Sequence, residues 1–232
     1  MNGYVDGNGG AIVIENNSNP IFYICELEYN SCTGNGGAIW CNDECSPVFK
    51  TNSIMYNYAD NSGGGLYLHS NDTILIDHTS VAYNISRYSG GGVLSEYHNC
   101  LQLFNSILAD NTLLNGDGGG AFIRQGYVQI DNSLFSTNSV IGNGGGLQTS
   151  YGAEVDIYNS SFLTNTASGY GGAIYFYNGV DLNMENVRFI SNSSIKGGGI
   201  WGYYGSTISI KNGLFTGIIP TMIHTAMEME EL

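Results

Sequence analysis

The chain repeats one short pattern at a constant interval of 27 residues. Each repeat has a large apolar residue, an Asn three positions later, and a Gly-Gly pair five to seven positions after that Asn. Self-similarity with a period of roughly 20 to 50 residues is typical of a solenoid, in which every repeat stacks on its neighbours. The recurring Asn residues are Asn30, Asn57, Asn84, Asn111, Asn138, Asn165 and Asn192.

Residues at the same position of successive repeats form columns, and four of these columns are apolar along almost their whole length. The columns begin at Ile12, Pro20, Phe22 and Leu27. Apolar and polar residues alternate around them with a period of two, which indicates strands buried on one face, and no segment carries an apolar stripe of helical period. Three strand-like segments per repeat, all running in one direction, predict a right-handed parallel β-helix of about eight coils with three parallel sheets.

The predicted β-helix domain covers residues 1–216, and it is incomplete at its N-terminal end because Gly9 opens a repeat whose preceding half is missing. With 42% hydrophobic residues, the chain is too apolar for disorder. The pattern stops after Thr216. Residues 217–232 are predicted to form a tail, which either caps the last coil as a short amphipathic helix or has no fixed structure.

The charge of the chain excludes several classes of partner. A formal net charge of −14, with only six Lys and Arg residues, argues against binding to nucleic acid or to an anionic membrane surface. The sequence has no apolar run long enough for a membrane-spanning helix. No secretion signal follows Met1, and we therefore interpret the chain as a piece of a longer exported protein, located outside the cell or on its outer surface.

Four of the five Cys residues fall in the first two repeats. They could form a local disulfide, or Cys41 and Cys45 could bind a metal together with His69; alternatively, they are small residues that fill repeat columns. No paired Cys-x2-Cys motif is present. We therefore predict no metal site and no cofactor.

The seven Asn residues are interpreted as structural. The side-chain amide of Asn has donors and an acceptor, so stacked Asn residues can bond to the same group on the coils above and below. Their constant spacing predicts a ladder that sets the register of the coils. A second, looser ladder stands three positions before the Phe column, and its members are Asn105, Asn132, Asn159, Asn186 and Asn212.

The repeat closely resembles that of the polymorphic membrane proteins, the chlamydial autotransporter adhesins, whose motif is Phe-x-x-Asn followed by Gly-Gly-Ala-Ile. Matching segments are Phe162-x-x-Asn165 with Gly171-Gly172-Ala173-Ile174, and Phe189-x-x-Asn192 with Gly197-Gly198-Gly199-Ile200. The resemblance implies an exported β-helical passenger that mediates adhesion or self-association. The chain departs from the motif where Leu, Ile or Val replaces Phe in the first four repeats, and it lacks the signal peptide and membrane barrel of such proteins.

A column of large residues follows the aliphatic residue after each Gly pair, and alternation predicts that it points outward. This column supports a non-enzymatic module that binds a protein or glycan of a host or neighbouring cell, or another copy of itself. The alternative is that the side chains only stack on each other across strands. The predicted contact face consists of Trp40, Tyr67, Phe122, Tyr175 and Trp201.

A second function class is a polysaccharide lyase or hydrolase, because many enzymes of that kind are β-helices. The candidate carboxylates are Asp77, Asp131 and Glu185 in one column, with Asp156 nearby. Phe104 and Tyr158 stand between them in that column, and no Lys or Arg cluster is available to hold a polyuronate. We therefore predict no catalytic residues and keep this function as the alternative.

Overall fold

A computed structural model describes residues 3–42, 44–97 and 100–220, and in these residues the chain winds into a parallel β-helix. Strands of successive coils pair in parallel and in register, as Leu66–His69 does with Val93–Glu96. The parallel β-helix of about eight coils is thereby confirmed. The predicted number of sheets is wrong, because four parallel sheets run along the molecule instead of three.

The four sheets are numbered here in the order in which a coil visits them after its glycine pair. The first sheet contains Ile12–Ile14, Ile39–Cys41, Leu66–His69, Val93–Glu96, Ala121–Arg124, Leu147–Ser150, Ile174–Tyr177 and Ile200–Tyr203. The second contains Ile21–Tyr23, Val48–Lys50, Thr73–Asp77, Cys100–Phe104, Tyr127–Asp131, Glu154–Tyr158, Asp181–Glu185 and Thr207–Lys211. The third contains Glu26–Glu28, Ser53–Met55, Ser80–Ala82, Ile107–Ala109, Leu134–Ser136, Ser161–Leu163, Arg188–Ile190 and Leu214–Thr216.

The fourth sheet is the one that the repeat pattern does not predict. Its strands are only two residues long and follow the ladder Asn directly, so they are too short to show alternation. They are Tyr4–Val5, Ser31–Cys32, Tyr58–Ala59, Ile85–Ser86, Thr112–Leu113, Ser139–Val140, Thr166–Ala167, Ser193–Ser194 and Ile219–Pro220. Because the last of these pairs with Ser193–Ser194, β-structure continues beyond the predicted boundary at Thr216. Residues 221–232, which make up most of the predicted tail or cap, lie outside the described residues.

The core is a stack of apolar side chains from the first, second and third sheets. Phe135, Phe162 and Phe189 are fully buried, and their rings stack with centroids 4.7 and 5.3 Å apart. Each coil therefore buries its apolar side chains against those of the coils before and after it.

The recurring Asn residues form a ladder at the corner between the third and fourth sheets, and all of them except Asn30 at its N-terminal end are buried. Asn138 shows the arrangement: its Oδ1 accepts from the backbone N and the Nδ2 of Asn111, at 3.1 and 3.0 Å. Its Nδ2 donates to the carbonyl oxygen of Leu108 at 2.8 Å and to Oδ1 of Asn165 at 2.9 Å. Every polar atom of the amide is thus paired, and each coil is bonded to both of its neighbours.

A second internal ladder, formed by hydroxyl side chains, lies at the corner between the second and third sheets. The backbone N of Ser106 donates to Oγ of Ser133 at 3.1 Å, and the backbone N of Ser133 donates to Oγ of Ser160 at 3.1 Å. Ser, Thr and Asn occupy this column in successive coils, where a side-chain oxygen is all that the neighbouring backbone N–H requires. Cys25 stands at the N-terminal end of the same column. This position agrees with the interpretation that Cys25 is a small residue filling a repeat column.

The two glycines of each pair are required for different reasons, as the pair in the second coil shows. Gly36 has a φ of 72°, a left-handed conformation that glycine adopts at little cost. A Cβ on Gly37 would lie only 2.0 Å from the carbonyl oxygen of Gly64 in the next coil. The second glycine is therefore needed because the backbones of adjacent coils touch there.

The connections on either side of the first sheet vary in length. Between Asn111 and Gly118 there is one residue more than in the preceding coil, and between Arg124 and Tyr127 there is one residue fewer than between Glu96 and Cys100. The strand Ala121–Arg124 nevertheless pairs with both of its neighbours, and the spacing of the Asn ladder stays at 27 residues. The two changes in length therefore cancel within one coil.

Candidate contact face on the first sheet

The five residues of the predicted contact face lie in one column on the outer side of the first sheet. Tyr67 pairs in register with Trp40, and Tyr175 pairs with Trp201. Phe122 lies between these pairs, separated from Tyr67 by Leu94 and from Tyr175 by Gln148. The repeat places one large side chain of this column on each coil because the neighbouring positions of the strand face the core.

The five rings differ in exposure. Trp40, Tyr67 and Trp201 are half-buried, whereas Phe122 and Tyr175 are only 4% and 9% exposed. The expectation that the whole column is exposed is therefore wrong for Phe122 and Tyr175, which other side chains cover.

The cover over Phe122 is the guanidinium of Arg124, which lies 5.0 Å from the ring centroid. Nη1 of Arg124 also forms an ion pair with Oε1 of Glu96 at 2.8 Å, and the other carboxylate oxygen of Glu96 accepts a hydrogen bond from the hydroxyl of Tyr67 at 2.9 Å. Burial, together with the adjacent Glu96 carboxylate, raises the pKa of Tyr67, so its hydroxyl remains a donor. The centre of the face is therefore a network that joins aromatic rings and charged groups.

Aromatic side chains continue this network toward the C-terminal coils. The ring of Tyr177 lies 5.5 Å from that of Tyr151 and 5.7 Å from that of Tyr175. Burial and a hydrogen bond with Tyr151 raise the pKa of Tyr177 to about 12. Tyr170 stacks on Trp201 with centroids 5.4 Å apart, so that the rings form one continuous surface across the last three coils of the face.

A shallow depression borders the face at its N-terminal end. Its volume is about 300 Å³, and it is lined by Asn16, Asn17, Glu44, His69, Ser70, Asn71 and Tyr97. The rings of His69 and Tyr97 meet edge to face with centroids 4.2 Å apart. The face thus begins at an open, polar recess and continues as an aromatic surface.

A second aromatic column, which our sequence interpretation missed, lies at the corner between the third and fourth sheets. Tyr29, Tyr56 and Tyr83 stack with successive centroids 4.9 Å apart, and 44 to 51% of each side chain is exposed. All three have a left-handed backbone, with φ between 55° and 57°. The sequence does contain the signal, a Tyr immediately before three successive ladder Asn residues. Because the rings cover each other's faces, they present mainly edges and hydroxyls to solvent.

The candidate carboxylates of the enzymatic alternative are separated and engaged. Asp77, Asp131, Asp156 and Glu185 accept hydrogen bonds from Asn105, Asn159, Tyr127 and Lys211, respectively. As expected from the column, Phe104 and Tyr158 pair in register with Asp131 on either side. Although partial burial raises the pKa of Asp77, hydrogen bonds from Asn105 and His78 outweigh this effect and lower it. A general acid needs the opposite shift.

Cys41 and Cys45 lie close together, but His69 does not join them. Cys41 is fully buried on the inner side of the first sheet, whereas His69 faces outward and contacts Tyr97. All five Cys residues are free thiols, and in the described residues no group of three or more His, Cys, Asp or Glu side chains could hold a metal ion. Burial raises the pKa of Cys41 to about 12, so this thiol is neutral at ordinary pH.

Two family models match the chain. A model described as right-handed beta helix region matches residues 57–215, and one described as Chlamydia polymorphic membrane protein repeat matches residues 24–42. The first match confirms the right-handed winding, and the second confirms the resemblance predicted from the repeat motif. No curated protein and no solved structure matches the chain significantly. Within residues 3–42, 44–97 and 100–220 there is no helix long and apolar enough to cross a membrane.

Proposed function

Because the chain belongs to the right-handed β-helix family and carries a polymorphic membrane protein repeat, we propose that it is a non-catalytic binding module of an outer cell surface, acting in adhesion or self-association. The observation that carries this proposal is the aromatic and charged network on the outer side of the first sheet. Its outward column makes no contribution to the apolar core, which the inward columns complete by themselves.

The first sheet is the best candidate for the contact surface because its aromatic groups are contiguous there. Aromatic side chains bring a large apolar area to an interface and lose little conformational entropy on binding. Trp40, Tyr67 and Trp201 are the residues of the predicted contact face that retain accessible surface. Glu96 and Arg124 lie between the rings and supply polar contacts at the centre.

The proposal is tested with beads coated with the purified protein. Their attachment to cultured cells and to a layer of the same protein is measured for wild type and for the triple variant Trp40→Ser, Tyr67→Ser, Trp201→Ser. We expect the triple variant to lose most of its attachment while its circular dichroism spectrum and melting temperature change little, because the core columns are intact.

The matched control replaces aromatic residues at the other exposed column. The variant Tyr56→Thr, Tyr83→Thr is compatible with the backbone, since Thr137 and Thr164 occupy the same left-handed column in later coils. We expect this control to attach like wild type. Normal attachment of the triple variant, or loss of attachment only in the control, would show that the contact surface lies elsewhere.

A further inference from the structure

The outer side of the first sheet contains a group of buried polar atoms without hydrogen-bond partners in the described part of the chain. Of six such side-chain atoms there, four lie together: Nε2 and Oε1 of Gln148, Oγ of Ser150 and Nε of Arg124. Gln148 and Ser150 are 1% and 0% exposed and alternate along one strand, so both side chains are directed outward. Arg124 pairs in register with Ser150.

Leaving these atoms unpaired is costly, because a buried polar group without a partner has lost its hydrogen bonds to water and gained none in the fold. The column does not require a polar residue, since Leu94 and Phe122 occupy the same position in earlier coils and are also buried. Nearly all buried polar groups in native proteins are hydrogen-bonded. The three polar side chains therefore indicate a bonding partner that is not part of this chain.

The surroundings of this polar group are aromatic. Phe122 and Tyr175 lie next to Gln148 on either side in the outward column. The ring of Tyr151 lies 5.8 Å from the guanidinium of Arg124 and is itself 44% exposed. Gly152, the next residue, has a φ of 72° and open space around it. A ligand can reach Gln148 and Ser150 only if a side chain near them moves. Tyr151 is the candidate because it lies at a corner with open space, and its movement breaks its hydrogen bond with Tyr177.

The chemistry of these polar side chains and of the aromatic rings around them selects one class of ligand. A carboxamide both donates and accepts, a hydroxyl does the same, and the guanidinium donates. The Arg124 charge is already paired with Glu96, so an anionic ligand is not needed to neutralise it. A molecule that matches this arrangement has several adjacent hydroxyl groups on one edge and an apolar C–H face toward the rings, as a monosaccharide ring has.

We propose that Gln148, Ser150 and Arg124, flanked by Phe122, Tyr151 and Tyr175, bind one saccharide unit of a surface glycan. The inference rests on the proposed function and names the chemical class of its partner. A protein partner would approach this face as a broad surface and leave the buried Gln148 amide unpaired. A single sugar ring is small enough for its hydroxyls to reach Gln148 and Ser150.

The decisive variant is Gln148→Leu, because it separates stability from binding. Leu is compatible with this column and removes two unpaired polar atoms, so the melting temperature should rise. Binding to an array of immobilised neutral, sialylated and sulfated oligosaccharides should fall about tenfold or more, since the hydroxyl partners lose their amide. The matched control is Gln129→Leu, on the outer side of the second sheet, which should leave oligosaccharide binding unchanged.

Bead attachment to cells, measured in parallel, distinguishes the possible failures. If wild type attaches to cells but binds no oligosaccharide, the glycan inference is overturned and the partner is a protein. If Gln148→Leu lowers the melting temperature and leaves oligosaccharide binding intact, ordered water pairs the amide and the inference is overturned as well. If wild type attaches neither to cells nor to its own layer, the proposed function is overturned, and so is the glycan inference that rests on it. Ser150→Ala, which removes a single hydroxyl, provides the same test should Gln148→Leu fail to fold.

Discussion

The molecule contains two ladders of Asn residues with nearly the same spacing but different surroundings. Asn138 of the inner ladder is fully buried, and all the hydrogen-bonding atoms of its amide are paired. Asn132 of the outer ladder is exposed, and its Nδ2 donates to Oδ1 of Asn105 at 2.9 Å. Asn132 has a φ of 48°, whereas the backbone of Asn138 is not left-handed.

The same residue type is therefore used for two different properties. In the inner ladder, the amide satisfies backbone and side-chain groups that water cannot reach. In the outer ladder, Asn is suited to the corner because it tolerates a left-handed backbone better than most residues do. Sequence periodicity alone reports both ladders but does not separate these roles.

Replacing an inner Asn should have the largest effect. Asn138→Ala leaves the Asn111 amide, the Leu108 carbonyl and Oδ1 of Asn165 with fewer partners in a buried site, and we expect a loss of about 3 kcal/mol or more in the free energy of unfolding. Urea denaturation measures it. Asn138→Gly should be no better, because the backbone at this position has no need of glycine. A loss below about 1 kcal/mol would contradict the view that this ladder sets the register of the coils.

Replacing an outer Asn should have a smaller effect that depends on the backbone. Asn132→Ala places a Cβ-bearing residue without a local hydrogen bond in the left-handed region, and we expect a loss of about 1 kcal/mol in unfolding free energy. Asn132→Gly should regain most of this loss, since glycine adopts the same conformation freely. If the Gly variant is as unstable as the Ala variant, the exposed side-chain hydrogen bonds contribute more than the backbone does.

The smallest effect concerns the N-terminal end of the outer ladder, where Asn105 donates to Oδ1 of Asp77. Because hydrogen bonds lower the pKa of Asp77 in the folded state, its contribution to stability is present above the unfolded pKa of about 4 and is lost as the pH falls through the folded value. We expect wild type to lose more unfolding free energy than Asp77→Asn between about pH 5 and pH 3, by less than about 0.5 kcal/mol. Identical pH profiles would mean that the Asp77 contact is not maintained in solution.

The repeat was sufficient to predict the winding, the core columns and the pairing of successive coils, because each depends on a residue type recurring at one position. The fourth sheet could not be predicted in this way. A strand of two residues, such as Tyr58–Ala59, has no periodicity of its own and follows the bend at Tyr56, whose backbone is left-handed.

The sequence predicts on which side of the sheet the side chains of the contact face lie, but not how exposed they are. Alternation places Phe122 and Tyr175 on the outer side of the first sheet, but it contains no information on side chains that fold over them from other columns. Arg124 covers Phe122 from two positions further along the strand, and Tyr170 approaches Tyr175 from the preceding connection. The sequence gives no signal for Gln148, because a single polar residue in an apolar column resembles ordinary variation.

The one-residue difference around the strand Ala121–Arg124 has a consequence for protein engineering. The connection from Asn111 to Gly118 contains an extra residue while the first sheet stays paired, and the shorter connection after Arg124 keeps the spacing of the inner ladder at 27 residues. This connection is therefore a natural position for inserting a peptide epitope or an affinity tag. An insert there would project beside the first sheet, and a series of insert lengths would serve as a molecular ruler for the clearance between this surface and whatever it contacts.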